Sequence, residues 1–372
     1  MPDETWAIIA GGGTAGHVQP ALAIADAVVA RGHERGSIHY VGSARGIEAT
    51  LVPQAGYPLT LLPGRGIQRK LSVANVGALA GIVKAVFHAV VLVRRLRPRV
   101  VVAVGGYASV PVALAAVLWR VPIVDAEQNA RPGAANRLIA RFAKAAAVSF
   151  PGTPLPRAVV TGNPVRAEVL AVDRVRDGAA AKHAIGIEPG RRLVVFMGGS
   201  LGARRINLSA VAAVEHWRDR TDLAVRHLVG ARDAAEIERV LPSTTPTGAL
   251  QYQRVEYDDD MPRTLAAADL AVCRSGASTC FELAAVGLPA VLVPSPFVTA
   301  DHQTANARHL VDAGAAALVP DDEAVGDRIP DAVDALLADP TRLAAMSAAA
   351  RTLATPGAAD AIAALAEEFA RR

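Results

Sequence analysis

Short apolar runs recur along the first half of the chain: Trp6–Ile9, Ile38–Val41, Leu59–Leu62, Val100–Val104, Pro122–Val124 and Ala146–Val148. Runs this short, bounded by turn residues, predict buried strands. Helical patterns lie between them, beginning near His17, Val73, Val110 and Ala134. Strands alternating with helices in this way predict a parallel sheet covered on both faces. The segment Thr161-Gly162-Asn163-Pro164-Val165-Arg166 then breaks the pattern with strong turn residues. After it the rhythm restarts, with strands predicted at Leu193–Met197, Ala224–Val229, Gln251–Val255, Leu270–Cys273 and Ala290–Val293. The fold class expected is α/β, two doubly wound Rossmann-like domains with a cleft between them and a hinge near residue 166. The alanine-rich stretch after Thr341 reads as helices broken at Pro356-Gly357. The expected divisions are 1–163, 164–345, and C-terminal helices over 346–372 that pack back on the first domain. There is no fixed-period repeat; the halves resemble each other in architecture only.

Composition agrees with two globular cores: 372 residues, 52% apolar and 20% charged. The two cysteines, Cys273 and Cys280, match no zinc or redox spacing and read as buried free thiols in a reducing compartment. No basic region followed by an apolar run opens the chain, so no secretory signal is expected. The uncharged run from Val100 to Trp119 is long enough to cross a bilayer. Gly105-Gly106 and Pro111 interrupt it, however, and a strand, a glycine turn and a helix describe it better. The expectation is a protein without a membrane span.

A net charge of +4 is too small to imply a nucleic-acid partner. Its distribution says more. Lys84, Arg94, Arg95, Arg97 and Arg99 lie on or just after an apolar, helix-like run from Val83 to Leu96. Such a helix could rest on an anionic membrane surface, its apolar face inserted and its basic edge at the headgroups. The alternative is a domain helix with a solvated basic end that favours its own C-terminal dipole.

Three glycine-containing loops follow predicted strands. The first is Gly11-Gly12-Gly13-Thr14-Ala15-Gly16-His17, and the helix after it offers free N–H groups and a positive dipole end. It satisfies the dinucleotide fingerprint formally. That fingerprint also requires an acid closing the second strand, to hold ribose hydroxyls. Here that strand ends Val41-Gly42-Ser43, with Glu34 before it and Glu48 beyond, which argues against a dehydrogenase. The second loop, Gly198-Gly199-Ser200-Leu201-Gly202-Ala203, and the third, Arg274-Ser275-Gly276-Ala277-Ser278-Thr279, lie on the ligand edge of the second sheet. Ser200 and the third-loop hydroxyls and amides are placed to meet a phosphate. Glu282, one turn on, suits a ribose diol better than a diphosphate that would repel it.

Together these segments give the resemblance. Gly12–His17, Gly105-Gly106-Tyr107, Glu127-Gln128-Asn129, Gly162–Arg166, Gly198–Ala203, Cys273–Ala277, Glu282 and Asp301-His302-Gln303 with Asn306-Ala307 stand in the order of the MurG family. The chain resembles that family, whose fold is called GT-B, over nearly its whole length. The resemblance implies inverting transfer of N-acetylglucosamine from its uridine-diphosphate carrier to a lipid-linked muramyl-pentapeptide, with no metal and no cofactor. It also implies peripheral work at the cytoplasmic face of the membrane. Carried over by position, Thr14, Ala15, Gly16 and Asn129 reach the donor from the first domain. Arg166 and Ser200 address the diphosphate or the adjoining sugar. Ala277, Ser278, Thr279 and Glu282 cradle the nucleotide, with Glu282 on ribose, and Gln303 bonds the transferred sugar. Three departures stand out: Ala126 replaces the family's usual histidine before Glu-Gln-Asn, and Ala15 replaces the second glycine of the first loop's Thr-Gly-Gly-His. Asp258 follows Tyr257 where the family commonly has an apolar residue, leaving a backbone contact to uracil.

Such a reaction needs a base for the acceptor hydroxyl and stabilisation of charge on the departing diphosphate. His17 is the candidate base, since an imidazole of ordinary pKa about 6.5 takes up a proton at neutral pH. The alternative is that it fixes the loop or touches phosphate. Charge on the leaving group would fall to Arg166, helix N-termini and loop amides. Asp258-Asp259-Asp260 offers a rival metal-binding reading, but acids preceding Met261-Pro262 are explained by helix capping. Two other classes remain to be separated: an epimerase of nucleotide sugars, and a membrane-surface scaffold without turnover.

Overall fold

The computed structural model describes residues 5–44, 46–63, 74–199, 202–240 and 249–372, with Ala15 and residues 74–80 as backbone. The chain forms two compact units, one of residues 1–166 and 355–372, the other of 167–354. In the first, seven described strands are β1 (Ala7–Ala10), β2 (Ile38–Ser43), β3 (Leu59–Leu62), β4 (Val100–Ala103), β5 (Ile123–Glu127), β6 (Ala145–Val148) and β7 (Ala158–Val160). They lie in the order β3-β2-β1-β4-β5-β6-β7, every neighbouring pair parallel. In the second, six described strands are β8 (Arg192–Met197), β9 (Leu223–Leu228), β10 (Gln251–Val255), β11 (Leu270–Cys273), β12 (Ala290–Leu292) and β13 (Ala316–Leu318). Their order is β10-β9-β8-β11-β12-β13, again all parallel. These are two doubly wound domains, each with its sheet order reversing beside its first strand.

Continuous apolar strands are what a sheet covered on both faces demands. Successive residues of β1 serve opposite layers. Ala7 and Ile9 pack with Val18, Ala21 and Val28 of the helix Ala15–Ala30 and with Ile362 and Ala366 of the C-terminal helix. Ile8 and Ala10 pack with Ala85, Ala89, Val112 and Ala116 on the other side. The C-terminal helix Ala358–Phe369 is also tied by ion pairs from Arg31 to Asp360 and Glu367, at 2.8 and 2.7 Å. The preceding helix, Pro340–Thr352, belongs to the second unit, where Met346 enters the core and Ser347 Oγ donates to Gly287 O at 2.7 Å. The return to the first unit therefore falls at Thr355, nine residues later than the division expected at 346.

Among the described residues no helix is long and apolar enough to cross a membrane. The uncharged run from Val100 resolves into β4, a turn with Gly105 and Gly106 at φ +88° and +82°, and the helix Ser109–Leu118. Cys273 and Cys280 are buried free thiols, and burial pushes the Cys273 thiol up to about 12.

Candidate functional site

In the first unit, the chain leaves β1 through Gly11–Thr14 and enters the helix at Ala15. Gly12 and Gly13 take φ +149° and +99°, which a side chain resists. A Cβ on Gly106 would lie 2.3 Å from Gly12 O, so the loop after β4 rests directly on the first loop. Thr14 holds the N-cap position without a side-chain cap bond. Its hydroxyl instead lies 3.1 Å from His17 Nδ1. The other end of the imidazole faces the loop after β4: a Cβ on Gly105 would stand 3.2 Å from His17 Cδ2, 3.3 Å from Nε2 and 3.2 Å from Asn136 Oδ1. His17 is half-buried, while Gly13, Thr14 and Gly16 are exposed.

The Glu127-Gln128-Asn129 motif works inward. Glu127 is buried and accepts from Asn129 N (2.8 Å), Asn129 Nδ2 (3.1 Å), Gly133 N (2.9 Å) and Asn136 Nδ2 (3.0 Å). Burial raises its carboxyl above the ordinary range, and these bonds oppose the rise. The glutamate thus shapes the loop that carries Asn129, rather than meeting a ligand. Ala126, in place of the family's histidine, is buried in the core between sheet and helices. Arg166 is half-buried at the end of the first unit.

Glu48 was passed over in the sequence because it lies beyond β2. It is fully buried, and its carboxylate accepts from Ser43 N at 2.7 Å and from Gly13 N at 3.0 Å. The amide that a dinucleotide's pyrophosphate would approach is therefore occupied by an internal anion. This is a second ground, independent of the missing acid, against the dehydrogenase reading.

In the second unit, the loop after β8 is drawn tight: a Cβ on Gly198 would lie 2.3 Å from Ala203 N, and one on Gly202 2.1 Å from Val229 O. Ser200 and Leu201 lie outside the described residues. The loop after β11 leads into the helix Ala277–Val286. Its Arg274 turns into the protein, donating to Val293 O at 2.8 Å and pairing with Asp321 at 2.5 Å. Ser275 Oγ donates to Gln303 O at 2.8 Å, and Asn306 Nδ2 donates to Ser275 O at 3.1 Å. The third loop and the helix His302–Asp312 are thereby one assembly. Gln303 Oε1 accepts from Ser295 N at 2.8 Å. Because that partner is a donor, the amide's orientation is fixed and its NH₂ is the group left to present. Ala277 is buried, Ser278, Thr279 and Glu282 are half-buried, and Ser278 Oγ has no protein partner.

Asp258 departs from the position's expected use. Its carboxylate is 5% exposed, pairs with Arg226 at 3.0 Å and accepts from Thr264 Oγ1 at 2.6 Å and Asp260 N at 3.0 Å. Only its backbone is left for a ligand. Asp260 caps the helix Met261–Ala267 by accepting from Arg263 N at 3.2 Å. Capping and an inward ion pair account for two of the three aspartates, and the described residues contain no cluster of three or more metal-ligating side chains.

The helix Ala74–Leu96 exposes Val83, Phe87 and Val91, four residues apart and so on one face. Leu114, Val117, Leu118, Trp119, Leu138 and Phe142 are also exposed on neighbouring helices and their ends. Lys84, Arg94 and Arg95 are exposed on the first of these helices, and the Arg94 guanidinium sits 5.5 Å from the Trp119 ring centroid.

The chain is similar to known proteins along most of its length. Residues 7–148 match the glycosyltransferase family 28 N-terminal domain and residues 193–365 the family 28 C-terminal domain. A protein of Desulforudis audaxviator is 40% identical over 98% of both chains; one of Nocardioides sp. is 42% identical over 93% of both. Both are named UDP-N-acetylglucosamine–N-acetylmuramyl-(pentapeptide) pyrophosphoryl-undecaprenol N-acetylglucosamine transferase. The crystal structure of Acinetobacter baumannii MurG superposes with a TM-score of 0.76 at 28% identity, covering 98% of this chain and 99% of that one. The chain is a glycosyltransferase of family 28 with the GT-B fold, and it belongs to the MurG family within it.

Proposed function

We propose that this chain transfers N-acetylglucosamine from UDP-N-acetylglucosamine, with inversion and without a metal, to undecaprenyl-pyrophosphoryl-N-acetylmuramyl-pentapeptide in peptidoglycan synthesis. The observation that carries this reading is the end-to-end correspondence with relatives named for that reaction, 40% identical over 98% of both chains. In this reading the first unit takes the lipid-linked acceptor and the second most of the donor. His17 accepts the proton of the attacking hydroxyl, with Thr14 orienting its ring through Nδ1. Arg166, Ser200 and the amides at the start of the helix after β11 stabilise charge on the departing diphosphate. The Ser278 hydroxyl, without a protein partner, is suited to a phosphate oxygen. Glu282 accepts from the ribose diol, the Asp258 backbone meets the uracil, and Gln303 donates its amide NH₂ to an oxygen of the transferred sugar. Thr14, Ala15, Gly16 and Asn129 complete the donor's surroundings from the first unit.

The same reading places the exposed Val83–Phe87–Val91 face and its basic neighbours on an anionic membrane, where the acceptor resides. Aromatic and aliphatic side chains enter the headgroup boundary, and Lys84, Arg94 and Arg95 meet phosphate. The test is incubation of purified chain with labelled UDP-N-acetylglucosamine, with and without acceptor in anionic vesicles. Label entering lipid only when acceptor is present supports the transferase. Isomerised sugar nucleotide without acceptor indicates an epimerase, and vesicle binding without turnover a scaffold.

A further inference from the structure

The first glycine loop is held from behind by a group outside the motifs named above. Glu48 opens the short helix Glu48–Gln54 and is fully buried. A carboxylate in that position is costly unless its oxygens are hydrogen-bonded. Here the donors are backbone amides from the last residue of β2 and from the loop after β1: Ser43 N, 2.7 Å from Oε1, and Gly13 N, 3.0 Å from Oε2 and 3.2 Å from Oε1. Three glycines close around the same carboxyl group. A Cβ on Gly12 would lie 2.2 Å from Oε1, one on Gly42 2.5 Å from Cγ, and one on Gly46 1.9 Å from Oε2. A side chain at any of the three positions would displace the carboxylate, and at Gly12 the φ of +149° opposes one as well. The cradle joins the end of β2, the start of the Glu48 helix and the turn of the first loop.

Gly13 is the residue immediately before Thr14, and Thr14 Oγ1 is the partner of His17 Nδ1. We infer that Glu48 is a positioning residue for transfer: by gripping the Gly13 amide it sets the loop from which Thr14 and His17 project. This rests on the proposed role of His17. Glu48 itself has no route to substrate, being fully buried beneath the loop. Its chemistry suits the task. A carboxylate accepts from both amides at once, whereas the Glu48→Gln amide offers one oxygen and turns an NH₂ toward an N–H donor.

The experiment compares Glu48→Gln, Gly46→Ala, His17→Ala and the double variant Glu48→Gln/His17→Ala. Gly46→Ala pushes on the same carboxylate while leaving the sequence of the first loop unchanged, and it keeps the test alive should the glutamate variant fold poorly. Melting temperature, UDP-N-acetylglucosamine dissociation constant and single-turnover rate across pH are measured for each. Both cradle variants are expected to lose about ten- to a hundredfold in single-turnover rate at saturating donor, as misplacement of a reacting group does, with donor affinity falling by less because Thr14, Ala15 and Gly16 are only part of the donor's surroundings. If Glu48 acts through His17, the double variant should be no slower than His17→Ala alone. Near-normal rates in both cradle variants overturn the inference, as does a double variant whose two defects multiply. A His17→Ala enzyme of normal rate removes the base assignment instead; a slow Glu48→Gln enzyme in that case still credits Glu48 with holding Thr14.

Discussion

Asp125 on β5 carries a carboxyl group whose two oxygens are both buried and without a hydrogen-bond partner. Burial, and secondarily the neighbouring Glu127, pushes it well above the ordinary carboxylate range. In the unfolded chain an aspartate titrates near about 3.9. Where the folded value is higher, the fold binds the extra proton, so its contribution to stability is fully present below about pH 4 and is lost as pH rises through the folded value. The slope approaches about 1.4 kcal/mol per pH unit over that window, because one proton separates the two states. Asp125→Asn, of the same shape, removes the ionisation and should flatten this part of the profile. Asp125→Val also removes both unpartnered oxygens, each kind of which costs about 1–3 kcal/mol when buried, and suits a strand. For domains of this size about 1 kcal/mol moves the midpoint by roughly 2–4 °C. The assay is thermal unfolding of wild type and both variants from pH 5 to 8. The gap between Asp125→Asn and wild type should widen with pH, and Asp125→Val should melt higher at neutral pH. Parallel profiles, or variants less stable at every pH, would refute the reasoning and mean that the carboxyl group has a partner.

Two further predictions concern the site. His17→Ala should lower turnover by about 10²–10⁴-fold, the usual worth of a positioned base, while donor affinity changes much less. Single-turnover rates beside donor titrations check this; weakened donor binding with normal chemistry at saturation removes His17 from that role. Glu282→Ala should weaken UDP-N-acetylglucosamine by roughly ten- to a hundredfold, since a charged hydrogen bond is worth about 1.5–3 kcal/mol. Unchanged affinity by calorimetry would place its carboxylate elsewhere.

The two sheets were legible in the sequence because their central strands are buried on both faces and so read as unbroken apolar runs. Where that cause fails the reading was uneven, since β3 and β10, with one buried residue between them, were still foreseen. β7 is exposed along its length and β13 has one buried residue of three, and neither was foreseen. The helix Glu48–Gln54 contains Pro53, which hides it from a periodicity argument. The glycine loops were visible as motifs, but what holds them was not. Glu48 is joined to Gly13 across 35 positions and through a backbone amide, so no side-chain pattern announces it. The sign available was indirect: glycines at 12, 42 and 46 with no turn function in common. Asp258 was similarly opaque, since it lies in the loop after β10 and its partner Arg226 lies on β9, 32 positions away. Exposed Val83, Phe87 and Val91 show the opposite case, in which an apolar, helix-like run from Val83 to Leu96 was visible and only the fold could say which of its residues face outward.

The central claim is metal-free, inverting transfer to a lipid-linked acceptor, and one measurement addresses it whole. Purified chain, labelled UDP-N-acetylglucosamine and lipid-linked muramyl-pentapeptide are combined in excess chelator, and the lipid product is isolated for its label and for the configuration of the new glycosidic bond. The account predicts label in the lipid, one UDP released per sugar transferred, and an anomeric configuration opposite to that of the donor. Transfer that stops under chelation and returns with magnesium or manganese, or a product that keeps the donor's configuration, would contradict it.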